Sequence, residues 1–183
     1  MQEAQVLATL EQYTSARDFF AATQNAAKEI EAAALTLERL HVRELPHAQS
    51  YSPKITGASA SADPNRLNAT DVRILFEERT RLTIEADRRL LDAGAGLMFG
   101  SENVGTKNEH EAGGSTRAGV YSLVGFAAAD VVFQRAIQAR KWAAIAHACG
   151  RSVAWCKLRY NVVCDTVDAY GWRACVRGVV EDA

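Results

Sequence analysis

The strongest constraint on this chain is a long opening stretch without a helix breaker. From Gln2 to about Arg43 there is neither proline nor glycine. Across it Phe19/Phe20, Thr23, Ala26/Ala27, Ile30, Ala33/Ala34, Leu37 and Leu40 recur at three- and four-residue steps. That period lays them along one face of a long amphipathic helix. Many of these positions are alanine, so backbones can approach closely but each contact buries little. Such a helix needs a partner, and the stretch predicts a helical hairpin or a coiled-coil strand.

The pattern then changes. Residues 44–69 carry Pro46, Pro53, Gly57 and Pro64 within a Ser/Ala-rich tract, SYSPKITGASASADPN, which reads as an irregular linker. Asn68 or Thr70 can cap a second helix, because their side-chain oxygens accept the free N–H groups of a first turn. Val72, Leu75, Leu82 and Leu90 give that helix an apolar stripe to about Leu91, and its natural partner is the first helix or a copy of it. Glu77 with Arg81 and Glu85 with Arg89 are spaced for i,i+4 pairs on its surface. Residues 93–119 then read as a glycine-rich loop. Gly100 and Gly105 have the separation of a phosphate-binding loop, but Thr106 precedes Lys107, the reverse of the required order, and no strand leads in.

Composition limits the function classes. No apolar run reaches the roughly 18 residues of a membrane span, and the opening residues lack the basic start and apolar centre of a secretory signal, so a cytoplasmic protein without a membrane partner is expected. Cys149, Cys156, Cys164 and Cys175 contain no C-x-x-C pair, which points to free thiols rather than a zinc site, and no metal or cofactor is expected. Neither a Ser/His/Asp nor a Cys/His signature stands out, which argues against an enzyme. Charge is unevenly placed. Residues 1–117 hold 13 basic and 17 acidic side chains, whereas residues 118–178 hold 8 basic and 3 acidic. A basic C-terminal third behind an acidic arm suits a module that binds a polyanion.

The segment from Phe126 to Thr166 carries the functional reading. Val131, Val132, Ala136 and Ile137 form the apolar face of a helix ending near Arg140, and a short second helix spans Trp142 to Cys149. Gly150 tolerates the left-handed backbone of a sharp turn, and Ser152 can cap a third helix running to about Val167. Ala146 stands four residues before Gly150, with Ile145, Cys149 and Cys156 facing a shared core. This is the spacing of a helix-turn-helix. Opposite the core stripe lie Arg151, Ala154, Lys157, Leu158 and Asn161, flanked by Trp155 and Arg159. Ala154, Trp155, Lys157 and Leu158 are the candidates for base readout, with Asn161 able to take adenine or a phosphate. Arg151, Arg159, Arg140 and Lys141 are the candidates for phosphate contacts, beside Ser152 at the helix start. Trp142 reads as a core aromatic.

At Val132 to Asp165, above all in KWAAIAHACGRSVAWCKLRYNVVCD, the chain resembles the phage-encoded ArpU/RinA-type late transcription regulators, whose C-terminal module is similar to the DNA-binding fourth region of bacterial sigma factors. That family also tends to place a helix, a Ser/Pro-bearing linker and a second helix ahead of the module, as here. The glycine-rich insertion before the module departs from the pattern. The resemblance implies a DNA-binding regulator of a phage or prophage late operon, working in a bacterial host cell, with RNA polymerase a candidate further partner.

The expected fold is therefore all-α: a helical oligomerisation arm over 1–92, a loop over 93–119, and a three-helix helix-turn-helix domain over 120–183. The expected function is sequence-specific binding of double-stranded DNA by a homo-oligomer. Two other readings share these features: a small terminase-like subunit that recognises DNA for packaging, and a helical adaptor whose C-terminal bundle binds protein.

Overall fold

The computed structural model describes residues 3–42, 69–100 and 118–178, and among these residues it is all-helical. Eight α-helices follow in order among the described residues: α1 (Glu3–Leu10), α2 (Ala16–Val42), α3 (Ala69–Phe99), α4 (Val120–Val124), α5 (Phe126–Val132), α6 (Trp142–Cys149), α7 (Val153–Tyr170) and α8 (Trp172–Arg177). The linker expected before α3, its Asn68 cap and the Gly105–Lys107 tract lie outside the described residues.

The single opening helix predicted from sequence is two helices. A break at residues 11–15 separates α1 from α2. A serine N-cap marks the new start: the Asp18 N–H donates to Ser15 Oγ at 3.2 Å, and the Ser15 hydroxyl donates in turn to Asp18 Oδ2 at 2.8 Å. The first of these bonds satisfies an N–H that a new helix start leaves open. The Ala16 N–H, also free at that start, donates to Asp168 Oδ1 of α7 at 2.7 Å.

α2 and α3 pack side by side and antiparallel, with Thr23 beside Gly94 at one end and Glu29 facing Asp87 further along. On α2 the covered positions include Thr23, Ala26, Ile30, Ala33, Leu37 and Leu40, the stripe read from the sequence. α3 turns a different set toward them: Arg73, Glu77, Thr80, Ile84, Asp87 and Leu91 are half-buried, whereas Val72 and Leu82 stay 53% and 65% exposed. The expected packing of Val72, Leu75 and Leu82 on the first helix is thus corrected. Their stripe is genuine, but it is continuous with Leu90, Ala93 and Leu97 on the same face of α3. There it packs into the core with α1, α4 and α8, whereas nearer the start of α3 the same stripe stays exposed.

α3 also runs further than expected, through Gly94 and Gly96 to Phe99, so the loop does not begin at residue 93. Two glycines in a helix normally cost stability, and here packing demands small residues. A Cβ at Gly94 would fall 2.5 Å from Ile137 Cδ1 and 3.3 Å from Thr23 Cγ2, and one at Gly96 would meet Val6 at 3.1 Å.

One hydrophobic core takes residues from Val6 in α1 to Val176 in α8, including Phe19, Phe20, Leu97, Met98, Val132 and Val163. The arm and the C-terminal helices share it, rather than forming separate bodies joined by a loop. A second cluster of Val131, Ile145, Ala146 and Cys156 locks α5, α6 and α7 together.

Candidate nucleic-acid interface

The corner that presents α6 starts with a π-helical turn at Phe133–Ile137, closing α5 one residue wide of α-helical register. Ala139 then takes a left-handed backbone, φ 50°, and Lys141 is extended as the N-cap of α6. Gln134 holds this corner from inside. It is buried, its Nε2 donates to Asp130 Oδ2 at 2.6 Å, and its Oε1 accepts from the Arg140 guanidinium at 2.7 Å. Arg135 donates to the Arg140 carbonyl at 2.9 Å and lies 4.8 Å over the Trp142 ring. Trp142 in turn meets Tyr160 edge-on at 5.6 Å, which makes it a packing aromatic. Sequence reasoning missed Gln134 and Arg135 as the organisers of this corner. A glutamine within an apolar helical face was the available signal.

The helix-turn-helix follows. Gly150 adopts φ 62°, ψ 33°, and the Arg151 N–H reaches back to the Ala146 carbonyl at 3.0 Å, closing the end of α6. Ser152 is extended and its Oγ accepts the Trp155 N–H at 3.2 Å, so its hydroxyl serves as the N-cap of α7. Ile145 and Cys156 are fully buried and Cys149 is half-buried between the two helices.

The far half of α7 is anchored from behind. Arg17 pairs with Asp165 at 2.7 Å, Asp168 caps α2, and Tyr160 packs near Phe20 with ring centroids 6.2 Å apart. The near half is open: Ala154, Lys157, Leu158, Arg159 and Asn161 are exposed, as are Arg140, Lys141, Arg151 and Ser152. By helical period Ala154, Leu158 and Asn161 occupy the centre of that outward face, Lys157 one flank, and Trp155 with Arg159 the other. Val162, 42% exposed, extends the central ridge and was not among the residues read from sequence, although it follows Leu158 at i+4.

Trp155 sits lower than its neighbours. It is half-buried against the α5–α6–α7 cluster, with the Arg151 guanidinium 5.6 Å and the Arg159 guanidinium 5.4 Å from its ring centroid. The ring therefore holds two cations one turn before and one turn after itself.

The electrostatics separate the basic residues into two groups. Arg173 pairs with Glu11 at 2.9 Å and Arg177 with Glu3 at 2.5 Å, so α1 neutralises the cations of α8. Arg140, Lys141, Arg151, Lys157 and Arg159 form no ion pair among the described residues. From Lys141 to Cys164 the chain contains no acidic residue at all. Burial first, then Cys156 and Asp130, pushes the Cys149 thiol up, and burial pushes Cys164 to about 12.

Comparison with protein-family models, with curated proteins and with solved structures returns no match. No helix among the described residues is long and apolar enough to cross a membrane.

Proposed function

We propose that this chain is a sequence-specific DNA-binding regulator of transcription that lays α7 in the major groove. The observation that carries the reading is the exposed start of α7 after a capped glycine turn, with cations on both of its flanks that form no ion pair among the described residues. A helix fits the roughly 12 Å major groove, and phosphates line both of its edges. Lys157 faces one edge; Arg159, and Arg151 through the shared Trp155 ring, face the other. Arg140 and Lys141 approach the backbone from the corner before α6. The resemblance of Val132 to Asp165 to ArpU/RinA-type regulators supports a phage or prophage setting in a bacterial cell, with RNA polymerase a further partner.

Self-association through the N-terminal helices belongs to the same proposal. It is supported by Val72, Leu75, Phe76 and Leu82, which leave an apolar strip open on the early half of α3. Joining two copies converts the second docking event into an intramolecular one and multiplies a modest affinity. A closed ring of many copies, measured by mass, would shift the reading to a terminase-like packaging protein built on the same interface.

The test is direct binding of a labelled duplex by the purified full chain at low salt. Charge reversal at Lys157 should weaken binding markedly while reversal at Arg173 leaves it. Absence of duplex binding by the unaltered chain would end the proposal.

A further inference from the structure

The outward ridge of α7 has an unusual chemistry for a surface between cations. Its centre is Ala154, then Leu158, 59% exposed, then Val162, with Asn161 as the polar group beside them. Leucine at an exposed position is unremarkable alone. Here it stands one turn beyond an exposed alanine, one turn before a half-exposed valine, and between flanks whose cations form no ion pair among the described residues. Cations on both sides suit two rows of phosphates and disfavour an apolar protein groove, which would leave Lys157 and Arg159 without partners.

What such a ridge meets in the major groove follows from the base edges. Guanine offers two acceptors, which call for Arg or Lys, and cytosine offers a donor, which calls for a carboxylate. The centre of the ridge has neither. Thymine alone carries a methyl group there, and adenine offers the acceptor and donor pair that an amide side chain matches. Resting on the DNA-binding reading above, we infer that the ridge recognises the C5 methyl groups of thymine through Leu158 and Ala154, with Asn161 on adenine. The preferred target is therefore rich in A·T pairs where α7 enters the groove. Lys157, Arg159 and Arg151 contribute affinity there without choosing the base.

The experiment isolates the methyl group. Duplexes bound by the full chain are selected from a random library. In the best of them each thymine is replaced singly by deoxyuridine, which differs only by that methyl. Binding is measured by fluorescence anisotropy for the unaltered chain and for Leu158→Ala. At one or two positions the unaltered chain should lose about fourfold in affinity, the size expected for one buried methyl. Leu158→Ala should bind the thymine and uracil duplexes equally at one of these. Since Leu158 is exposed, its truncation leaves the core intact, and an unchanged melting curve checks this. The inference is overturned if every uracil duplex binds within twofold of the parent, or if Leu158→Ala keeps the full thymine preference. In both cases DNA binding itself would stand. If no duplex is selected, the DNA-binding reading fails first and this inference with it.

Discussion

The separation of the basic residues into paired and unpaired sets makes a quantitative prediction about salt. Each phosphate contact releases condensed counterions, so the logarithm of the binding constant falls with the logarithm of salt concentration at a slope of about −0.9 per contact. Five cations around α6 and α7 lack ion pairs among the described residues: Arg140, Lys141, Arg151, Lys157 and Arg159. With all five on phosphates, one copy of the chain should give a slope of roughly −4 to −5, and two copies twice that. Between 50 and 200 mM salt the affinity of one copy should therefore drop on the order of 500-fold. Lys157→Ala should flatten the slope by about 0.9. Arg140, whose guanidinium is already bound to Gln134, should contribute less than the others. The internal control is Arg173→Ala: that side chain makes two hydrogen bonds to Glu11, at 2.9 and 3.1 Å, and its removal should leave the slope unchanged. The assay is anisotropy titration of a labelled duplex at four or five salt concentrations. A one-copy slope shallower than about −2, or an Arg173 variant that flattens it as much as Lys157, would refute the assignment of these charges.

Three further outcomes follow from the packing. Trp155→Ala should weaken duplex binding by roughly 5- to 30-fold, since it releases two cation–π contacts of about 0.5–1 kcal/mol each; Trp155→Phe should recover most of the loss, and failure of that rescue would remove the platform role. Asp87 sits in the α2–α3 seam with Oδ2 buried and without a hydrogen bond, and burial first, then Glu29, raises its pKa above the ordinary 3.8. A raised folded-state value means the native chain binds this proton more tightly, so stability from this group is lost as pH rises through it. Asp87→Asn should accordingly raise the melting temperature at pH 7 by a few degrees, for about 1 kcal/mol, with the gain shrinking toward pH 4; a constant gain across pH would contradict the cause given. Ile145→Ala should cost about 2–5 kcal/mol, because the side chain is fully buried where α5, α6 and α7 meet, and chemical denaturation reads this directly.

What could be read from sequence was whatever local physics decides. The turn at Gly150, the cap at Ser152 and the facing pair Ile145 and Cys156 are fixed within a dozen residues by backbone freedom, one hydroxyl and a 3.6-residue period. Their order in the chain was enough to place α6 and the start of α7. Other features are decided by residues far away. Gly94 and Gly96 look like loop residues until Ile137 and Val6 are seen pressed against them. Arg173 and Arg177 look like Arg151 in any count of charge, and only the return of α1 past α8 separates them. The break before α2 was legible in principle, since Ser15 and Asp18 have capping-box spacing. It was hidden by the uninterrupted helix formers on either side.

The shared core changes what the N-terminal helices can do for α7. Asp168 caps α2, Arg17 meets Asp165, and Phe19 packs edge-on against Trp172 at 5.7 Å, while Glu3 and Glu11 hold α8 to α1. These contacts tie the base of the α2–α3 hairpin to the far half of α7. The open strip of Val72, Leu75, Phe76 and Leu82 continues along the same α3 helix whose other end is in that core. A partner seated on the strip would therefore act on a body in which the direction of α7 is already set. On the proposed DNA-binding reading, two copies joined there would hold their α7 helices at one separation, and paired target sites would be matched in a single helical phase rather than over a range of spacers. A flexible tether between arm and module would give the opposite behaviour. The difference lies in the handful of hydrogen bonds and ring contacts between α2 and the last two helices.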